Sequence, residues 1–331
     1  NLITVIALLR CSKLRHHATT AFVISLAMSD LLFCSINLPL TASRFINQAW
    51  VLGPELCKLF PFFFYGNVAV SLLSMVAITV NRYILISCHG LYDKLYTPRY
   101  ICVMLVFAWV FSFSMMIPPL AEVWGRLGLD PPTFSCTILK KDGRSPKKMF
   151  FFLGFILPCV VIIMSYTCIY WKVRQSQRNL QAHNAVGPKL NSVAPQFLQR
   201  REDVRLTRLM LTIFCCFLLC FLPLMLVNVA DDEIRYPTIH VMASVLAWAS
   251  SVVNPFIYAG SNRQYRAAYH KLLCCTNSPG RRGTVYQTTA PGGGGSLTHS
   301  HSGSGKTFIT EMLQYNAAMD KVSVVGANGI E

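Results

Sequence analysis

The chain contains 331 residues, of which 53% are hydrophobic and 13% charged, and its formal net charge at pH 7 is +16. A soluble domain carries about 25% charged residues, so this composition excludes an ordinary soluble protein. The basic residues follow the loops rather than forming one continuous patch, which argues against binding to nucleic acid.

Hydrophobic residues occur in blocks of about 20 to 25, the length that crosses about 30 Å of hydrocarbon. Six full blocks cover 19–43, 57–82, 100–121, 147–171, 204–230 and 236–260. A partial block from Asn1 to Leu9 is too short to cross, and we expect it to be the second half of a first span. The sequence therefore predicts an all-α membrane protein, a seven-transmembrane helix bundle whose first helix is truncated.

The distribution of Lys and Arg predicts which way the bundle faces. Most of the 30 basic residues lie in the loops after spans one, three and five and in the tail. The positive-inside rule makes this side cytoplasmic, so the amino terminus is outside and the carboxyl terminus inside a multi-pass plasma-membrane protein. The helix bundle is expected to cover 1–275, with a flexible cytoplasmic loop at 172–203. The Gly- and Ser-rich tail at 276–331 is expected to be disordered.

Of the 13 cysteines, only Cys57 and Cys136 fall at predicted outer positions. The cell exterior is oxidising, so these two are the natural disulfide pair, with two unpaired thiols as the alternative.

The stretch "SNRQYRAAYHKLLCC" places Tyr265 and Tyr269 on one helical stripe, which predicts a short amphipathic helix at 262–275 on the inner membrane surface.

Two cysteines at the end of that helix, Cys274 and Cys275, are candidate palmitoylation sites. Free cytosolic thiols are the alternative interpretation.

A carboxylate lies deep in span two. Asp30 occurs in "ISLAMSDLLFCSINLPL", and an acid inside a membrane span is a functional candidate by default. Ser71 and Asn254 are expected to approach it from spans three and seven. Carboxylate, hydroxyl and amide oxygens suit a sodium ion or ordered water, and a structural hydrogen-bond network without an ion fits equally well. No other cofactor and no metal site is expected.

Prolines lie inside three predicted spans, at Pro158, Pro223 and Pro255. Each removes a backbone hydrogen bond and tends to kink its helix, so the inner half of a span gains a point about which to pivot. Kinked packing without movement is the alternative.

These features occur in the order found in one family. The chain resembles rhodopsin-like (class A) G-protein-coupled receptors through Asn1, "SLAMSD", Trp109, Tyr166, "CFLP" and "NPFIY". The resemblance covers residues 1 to about 275, and it implies a heterotrimeric G protein as partner, together with arrestin, a receptor kinase and a small-molecule or lipid ligand.

The resemblance also assigns a role to the triplet Asn81-Arg82-Tyr83 at the inner end of span three. In the family this triplet is usually Asp-Arg-Tyr, and its arginine meets the G protein when span six swings outward. Asn81 provides no adjacent carboxylate here. Asp203 begins span six and is expected to pair with Arg82 and favour the resting state.

Activation is expected to follow the family's route. Ligand binding would shift the packing around Leu72, Pro158 and Phe217, and Phe221 stands where the family usually has tryptophan. Tyr166 and Tyr258 would then turn toward Arg82. Simple core packing is the alternative interpretation of the aromatic residues.

The stretch "NRYILISCHGLYDKLY" is similar to melatonin receptors, but it fits better with an insect orphan branch, the moody and trapped-in-endoderm receptors. That likeness implies a role in cell migration, polarity or glial barrier formation.

The predicted ligand pocket is apolar and aromatic. Its expected residues are Phe64, Tyr65, Val68, Leu224 and Trp248. The outer half of span three has no acid for a biogenic amine, and span seven has no lysine for retinal. Arg44, Lys147 and Lys148 near the mouth would suit the anionic head group of a lipid or amphiphile, although basic residues at an outer boundary also occur as solvated flanks.

A transporter is the main rival class. It would show internal repeats or several polar groups along a path, and the sequence shows neither. The chain also lacks catalytic motifs such as H-E-x-x-H and G-x-S-x-G, so we do not expect an enzyme.

Overall fold

The computed structural model describes residues 1–11, 14, 17–184, 194–231 and 235–273. Within these residues, six helices are long and apolar enough to cross a membrane. They are Ala18–Asn47, Pro54–Ser87, Pro98–Leu120, Lys147–Ser176, Asp203–Ala230 and Pro237–Ser261, which we call spans two to seven. The predicted seven-helix bundle is confirmed, with the shorter helix Leu2–Arg10 in the place of the first span.

Several predictions from the sequence fall outside the described residues. These are the palmitoylation of Cys274 and Cys275, the disordered tail at 276–331 and the centre of the loop at 172–203. The helices on either side of that loop run to Asn184 and resume at Ala194.

Spans two and five each contain a π-helical turn immediately before a proline. The turn at Phe33–Asn37 precedes Pro39, and the turn at Phe152–Ile156 precedes Pro158. A proline ring clashes with the carbonyl four residues earlier, and a widened turn relieves that clash. The sequence predicted kinks at Pro158, Pro223 and Pro255 but none at Pro39. The α-helices continue without a π-helical turn through Pro223 and Pro255.

Span three is the central helix of the bundle. In its most apolar window 61% of the span is buried within the protein, compared with 17% for span four. Its buried side chains run from Cys57 at one end to Arg82 and Ile84 at the other. Span three therefore connects the two ends of the molecule, and any site at either end is built against it.

A β-hairpin that the sequence analysis did not predict lies between spans four and five. Strands β1 (Arg126–Asp130) and β2 (Ser135–Leu139) pair antiparallel, with Leu129 opposite Cys136. β2 alternates, with Cys136 and Ile138 buried, whereas β1 does not. We call this end of the bundle the hairpin face and the opposite end the Arg82 face.

Two short helices complete the Arg82 face. One, at His89–Leu95, follows span three directly, and the other is the predicted amphipathic helix, observed at Arg263–Leu273. Tyr265 and Ala268 of the second helix are buried, as the predicted stripe requires. The tyrosine ring of Tyr265 stacks on Tyr258 of span seven with centroids 5.1 Å apart, which fixes this helix against the bundle.

Candidate functional site

Arg82 joins spans two, three and six at one end of the bundle. Its side chain is only 4% exposed, and Nη1 donates to Oδ1 of Asp203 in span six at 3.2 Å. Nη2 donates to the hydroxyl of Thr19 at the start of span two. The predicted Arg82–Asp203 contact is therefore present, and it spans the boundary that must open if span six moves outward.

Asn81 makes two side-chain hydrogen bonds. Its Oδ1 accepts a hydrogen bond from Thr19 at 2.7 Å, while its Nδ2 donates to the Tyr92 hydroxyl at 3.5 Å. Thr19 thus contacts both Asn81 and Arg82. Sequence reasoning missed Thr19 and Tyr92 because neither stands in a distinctive motif. Tyr83, the third member of the triplet, is half-buried against the core.

The two tyrosines that were expected to move lie in the core of the Arg82 face. Tyr166 is buried beside Thr79 of span three, and Tyr258 is fully buried against Tyr265. The Tyr258 hydroxyl has no hydrogen-bond partner among the described residues. Burial raises the pKa of Tyr265 above its ordinary value, so this tyrosine is neutral beside the switch. The inward turn of Tyr166 and Tyr258 remains a prediction.

Asp30 is buried at mid-span and held by span seven. Asn254 donates through Nδ2 to Oδ2 of Asp30 at 2.7 Å, and Ser251 lies beside the same carboxylate. Asn1 of the first helix donates to the Ser251 carbonyl at 2.7 Å. The Asp30 carboxylate therefore ties span two to span seven, and Asn1 separately ties the first helix to span seven.

Ser71 makes a different contact from the one expected. Its hydroxyl lies 3.0 Å from that of Ser29, the neighbour of Asp30, rather than bonding to Asp30 itself. Ser29 points toward span three because adjacent helical residues face directions about 100° apart. Both polar atoms of the Asn67 side chain are buried without a partner among the described residues. Within those residues no group of three or more His, Cys, Asp or Glu side chains could hold a metal.

The predicted activation packing is an aromatic column between spans five and six. Phe217 lies 4.6 Å from Phe221 and 6.4 Å from Phe155, measured between ring centroids. Phe221, Leu72 and Pro158 are buried. Phe221 stands where the family usually has tryptophan. Its ring has no N–H group, so it cannot donate the hydrogen bond that an indole can donate.

A cavity opens toward the hairpin face, with about 590 Å³ of empty space that includes open solvent. Four of the five predicted pocket residues line it: Phe64, Tyr65, Leu224 and Trp248. Val68 lines a second cavity rather than the first, with about 630 Å³ of empty space that includes open solvent. Val68 follows Phe64 by four residues, or about 6 Å along the axis of span three. Lys148 is exposed and lines neither cavity.

The disulfide predicted from the cysteine positions is present between Cys57 and Cys136, with their Cα atoms 5.2 Å apart. It fastens β2 to the start of span three, and Cys136 itself lines the first cavity. The hairpin is therefore held over that cavity.

Spans six and seven are linked at the hairpin face by Asp231. Its Oδ2 lies 3.2 Å from Nε2 of His240, and its carboxylate accepts hydrogen bonds from the backbone N–H groups of Arg235 and Tyr236. Those backbone donors lower the pKa of Asp231, so the carboxylate is charged. Asp231 thus has its own partners and is not directed at the cavity.

The sequence and the fold both match known receptors. The family model described as "7 transmembrane receptor (rhodopsin family)" matches residues 1–258. Protein trapped in endoderm-1 of Drosophila melanogaster is 56% identical over 286 residues, covering 82% of this chain and 73% of that protein. The G-protein coupled receptor moody of the same species is 35% identical over 328 residues, and the chain spans about half (49%) of its length.

The crystal structure of squid rhodopsin superposes with a TM-score of 0.71 at 25% sequence identity, covering 82% of this chain and 81% of that one. The chain belongs to the rhodopsin family of seven-transmembrane receptors. It is a multi-pass membrane receptor that couples to G proteins and responds to a ligand, and the family's members are receptors rather than enzymes.

Proposed function

We propose that the chain activates a heterotrimeric G protein at the plasma membrane in response to an extracellular ligand, with the Arg82 face in the cytoplasm and the hairpin face outside. The contact of Arg82 with Asp203 carries this proposal, because it joins the central span to the span whose movement opens the G-protein site. The concentration of basic residues in the loops of the Arg82 face supports this orientation.

Cell migration, polarity or glial barrier formation is the biological setting we propose. The similarity to trapped in endoderm-1 and to moody supports it. Arrestin and a receptor kinase are the further partners we propose, and palmitoylation of Cys274 and Cys275 would hold the amphipathic helix to the membrane.

The test uses the full-length protein in cell membranes supplied with purified G-protein heterotrimers of different classes. We expect ligand-free nucleotide exchange above that of membranes without the receptor, for at least one class. Ion flux measured in the same membranes distinguishes the transporter alternative. Flux without nucleotide exchange would overturn the proposal.

A sodium ion beside Asp30 is the one cofactor we propose, and the unpartnered oxygen of Asn67 close to the Ser29–Ser71 pair supports it. An ion that binds only the resting bundle stabilises that state. Replacing choline chloride by sodium chloride at constant ionic strength should lower ligand-free nucleotide exchange about fivefold, within the usual range of coupling energies. Asp30→Asn should abolish the difference between the two salts. An equal sodium response in Asp30→Asn would place the ion elsewhere.

A further inference from the structure

Arg44 near the outer end of span two is a buried cation with no carboxylate paired to it in the part of the chain that the structure describes. The residue is 4% exposed, and its Nε and Nη1 atoms have no hydrogen-bond partner among the described residues. Its guanidinium carbon lies 4.8 Å from the ring centroid of Phe45, 5.7 Å from Trp248 and 5.9 Å from Phe60. Aromatic faces stabilise the positive charge but leave its N–H groups without an acceptor.

Buried charges are normally paired, so an arginine held in this way is poised for an anion. Arg44 lines the first cavity, and so does Lys147. No aspartate or glutamate is among the described residues that line it, and the nearby carboxylate of Asp231 is engaged by His240. The cavity is therefore cationic, and a guanidinium fork favours carboxylate or phosphate oxygens.

The lining of the second cavity is mostly apolar. It lies between spans three to six, and methionine and phenylalanine dominate its wall, including Met115, Met116, Phe155 and Met225. Flexible, apolar side chains of this kind accommodate an alkyl chain.

The two cavities share part of their walls. Tyr65, Lys147 and Asn228 line both. The Tyr65 hydroxyl lies 3.3 Å from the Thr137 hydroxyl of β2, so a polar group marks the boundary between the cationic and the apolar space. A ligand that enters both must be charged at one end and apolar at the other.

We propose that this receptor binds an anionic amphiphile, with its carboxylate or phosphate on Arg44 and its hydrocarbon chain past Tyr65 in the second cavity. The inference rests on the proposed receptor function and adds the chemical class of the ligand. The nonpolar chain lies against the Phe155 end of the aromatic column, so its occupancy reaches the packing around Phe217.

The test measures binding directly, without a G protein. The full-length receptor in nanodiscs is incubated with radiolabelled oleate, which carries a carboxylate, or oleoyl lysophosphatidic acid, which carries a phosphate. Oleyl alcohol supplies the same chain without a charge, and empty nanodiscs correct for partition into lipid. We expect saturable binding of at least one anionic probe, displaced at least tenfold more effectively by its unlabelled form than by oleyl alcohol. The better of the two anionic probes identifies the head group.

Arg44→Gln should weaken binding of that probe at least tenfold, and Arg44→Lys should weaken it less. Arg144→Gln removes an exposed arginine of the same face outside both cavities and should leave binding unchanged. Equal displacement by oleyl alcohol, or no saturable binding of either anion, would overturn the proposal even if the Arg44 variants fail to fold. If the wild-type receptor binds neither anionic probe but shows normal ligand-free nucleotide exchange, the ligand class alone is rejected. If it binds a probe saturably but shows no exchange, the G-protein function is rejected.

Discussion

Replacing Asp203 with alanine is expected to raise ligand-free nucleotide exchange about five- to tenfold. The Arg82–Asp203 pair is partly buried, with side chains 5% and 29% exposed, which places its contribution at about 1 to 1.4 kcal/mol in favour of the resting state. An energy of about 1.4 kcal/mol changes a small active fraction about tenfold. The measurement is nucleotide exchange on purified G protein, normalised to the amount of receptor at the cell surface.

Glu55→Ala provides the matched control for Asp203→Ala. Glu55 is an exposed acid in the first turn of span three at the hairpin face, so its loss removes the same charge far from the switch. Thr19→Val, which removes the other contact of Arg82 while keeping the side-chain volume, should give a smaller rise. Basal exchange that stays at the wild-type level in Asp203→Ala would mean that the ion pair does not restrain span six.

Loss of the disulfide is the second large effect we expect. Cys57 and Cys136 are 79 residues apart, and the loop-closure model assigns about 4 to 5 kcal/mol to a bridge of that length. Cys136→Ser should therefore lower the apparent Tm of the detergent-solubilised receptor by about 10 °C. The Tm is measured as the temperature at which half of the monodisperse receptor is lost on heating. A thiol-reactive dye is less suitable, because the chain has other free cysteines that also react with it.

Cys102→Ser is the control for that experiment, since Cys102 is an exposed free cysteine of span four. It should leave the Tm unchanged. Cys136→Ser should also weaken binding in the first cavity, because the bridge holds β2 over it. A Tm equal to that of the wild type would show that the hairpin is held in place by its other contacts alone.

Contacts at the site could be predicted from the sequence where the depth of each residue along its own span was enough to pair it with another. Asp203 could be matched to Arg82 because both lie at span ends, and helical rise fixes the depth of each along its own helix. The pairing of Cys57 with Cys136 followed similarly from the membrane side of each cysteine. Thr19 could not be found in this way, because its contact with Arg82 depends on how span two is rotated about its axis.

The same distinction explains where Ser71 and Val68 lie. Ser71 lies at the right depth for Asp30, but the rotation of span three directs it to Ser29. Val68 lies one turn from Phe64, and the packing of span four and the hairpin divides the space around span three into two cavities. A hydrophobic block predicts that its helix lies in the membrane. It does not predict which residues of that helix line a given cavity.

The amino-acid sequence alone determined the number, length and depth of the spans, because crossing hydrocarbon requires a continuous apolar stretch, a local property of the chain. Only the tertiary structure decided which polar groups meet inside the bundle. It gave Arg82 two partners and left Arg44 with aromatic rings and no acceptor among the described residues. Helix rotation and register arise from the packing of all the spans together, so no single segment encodes them.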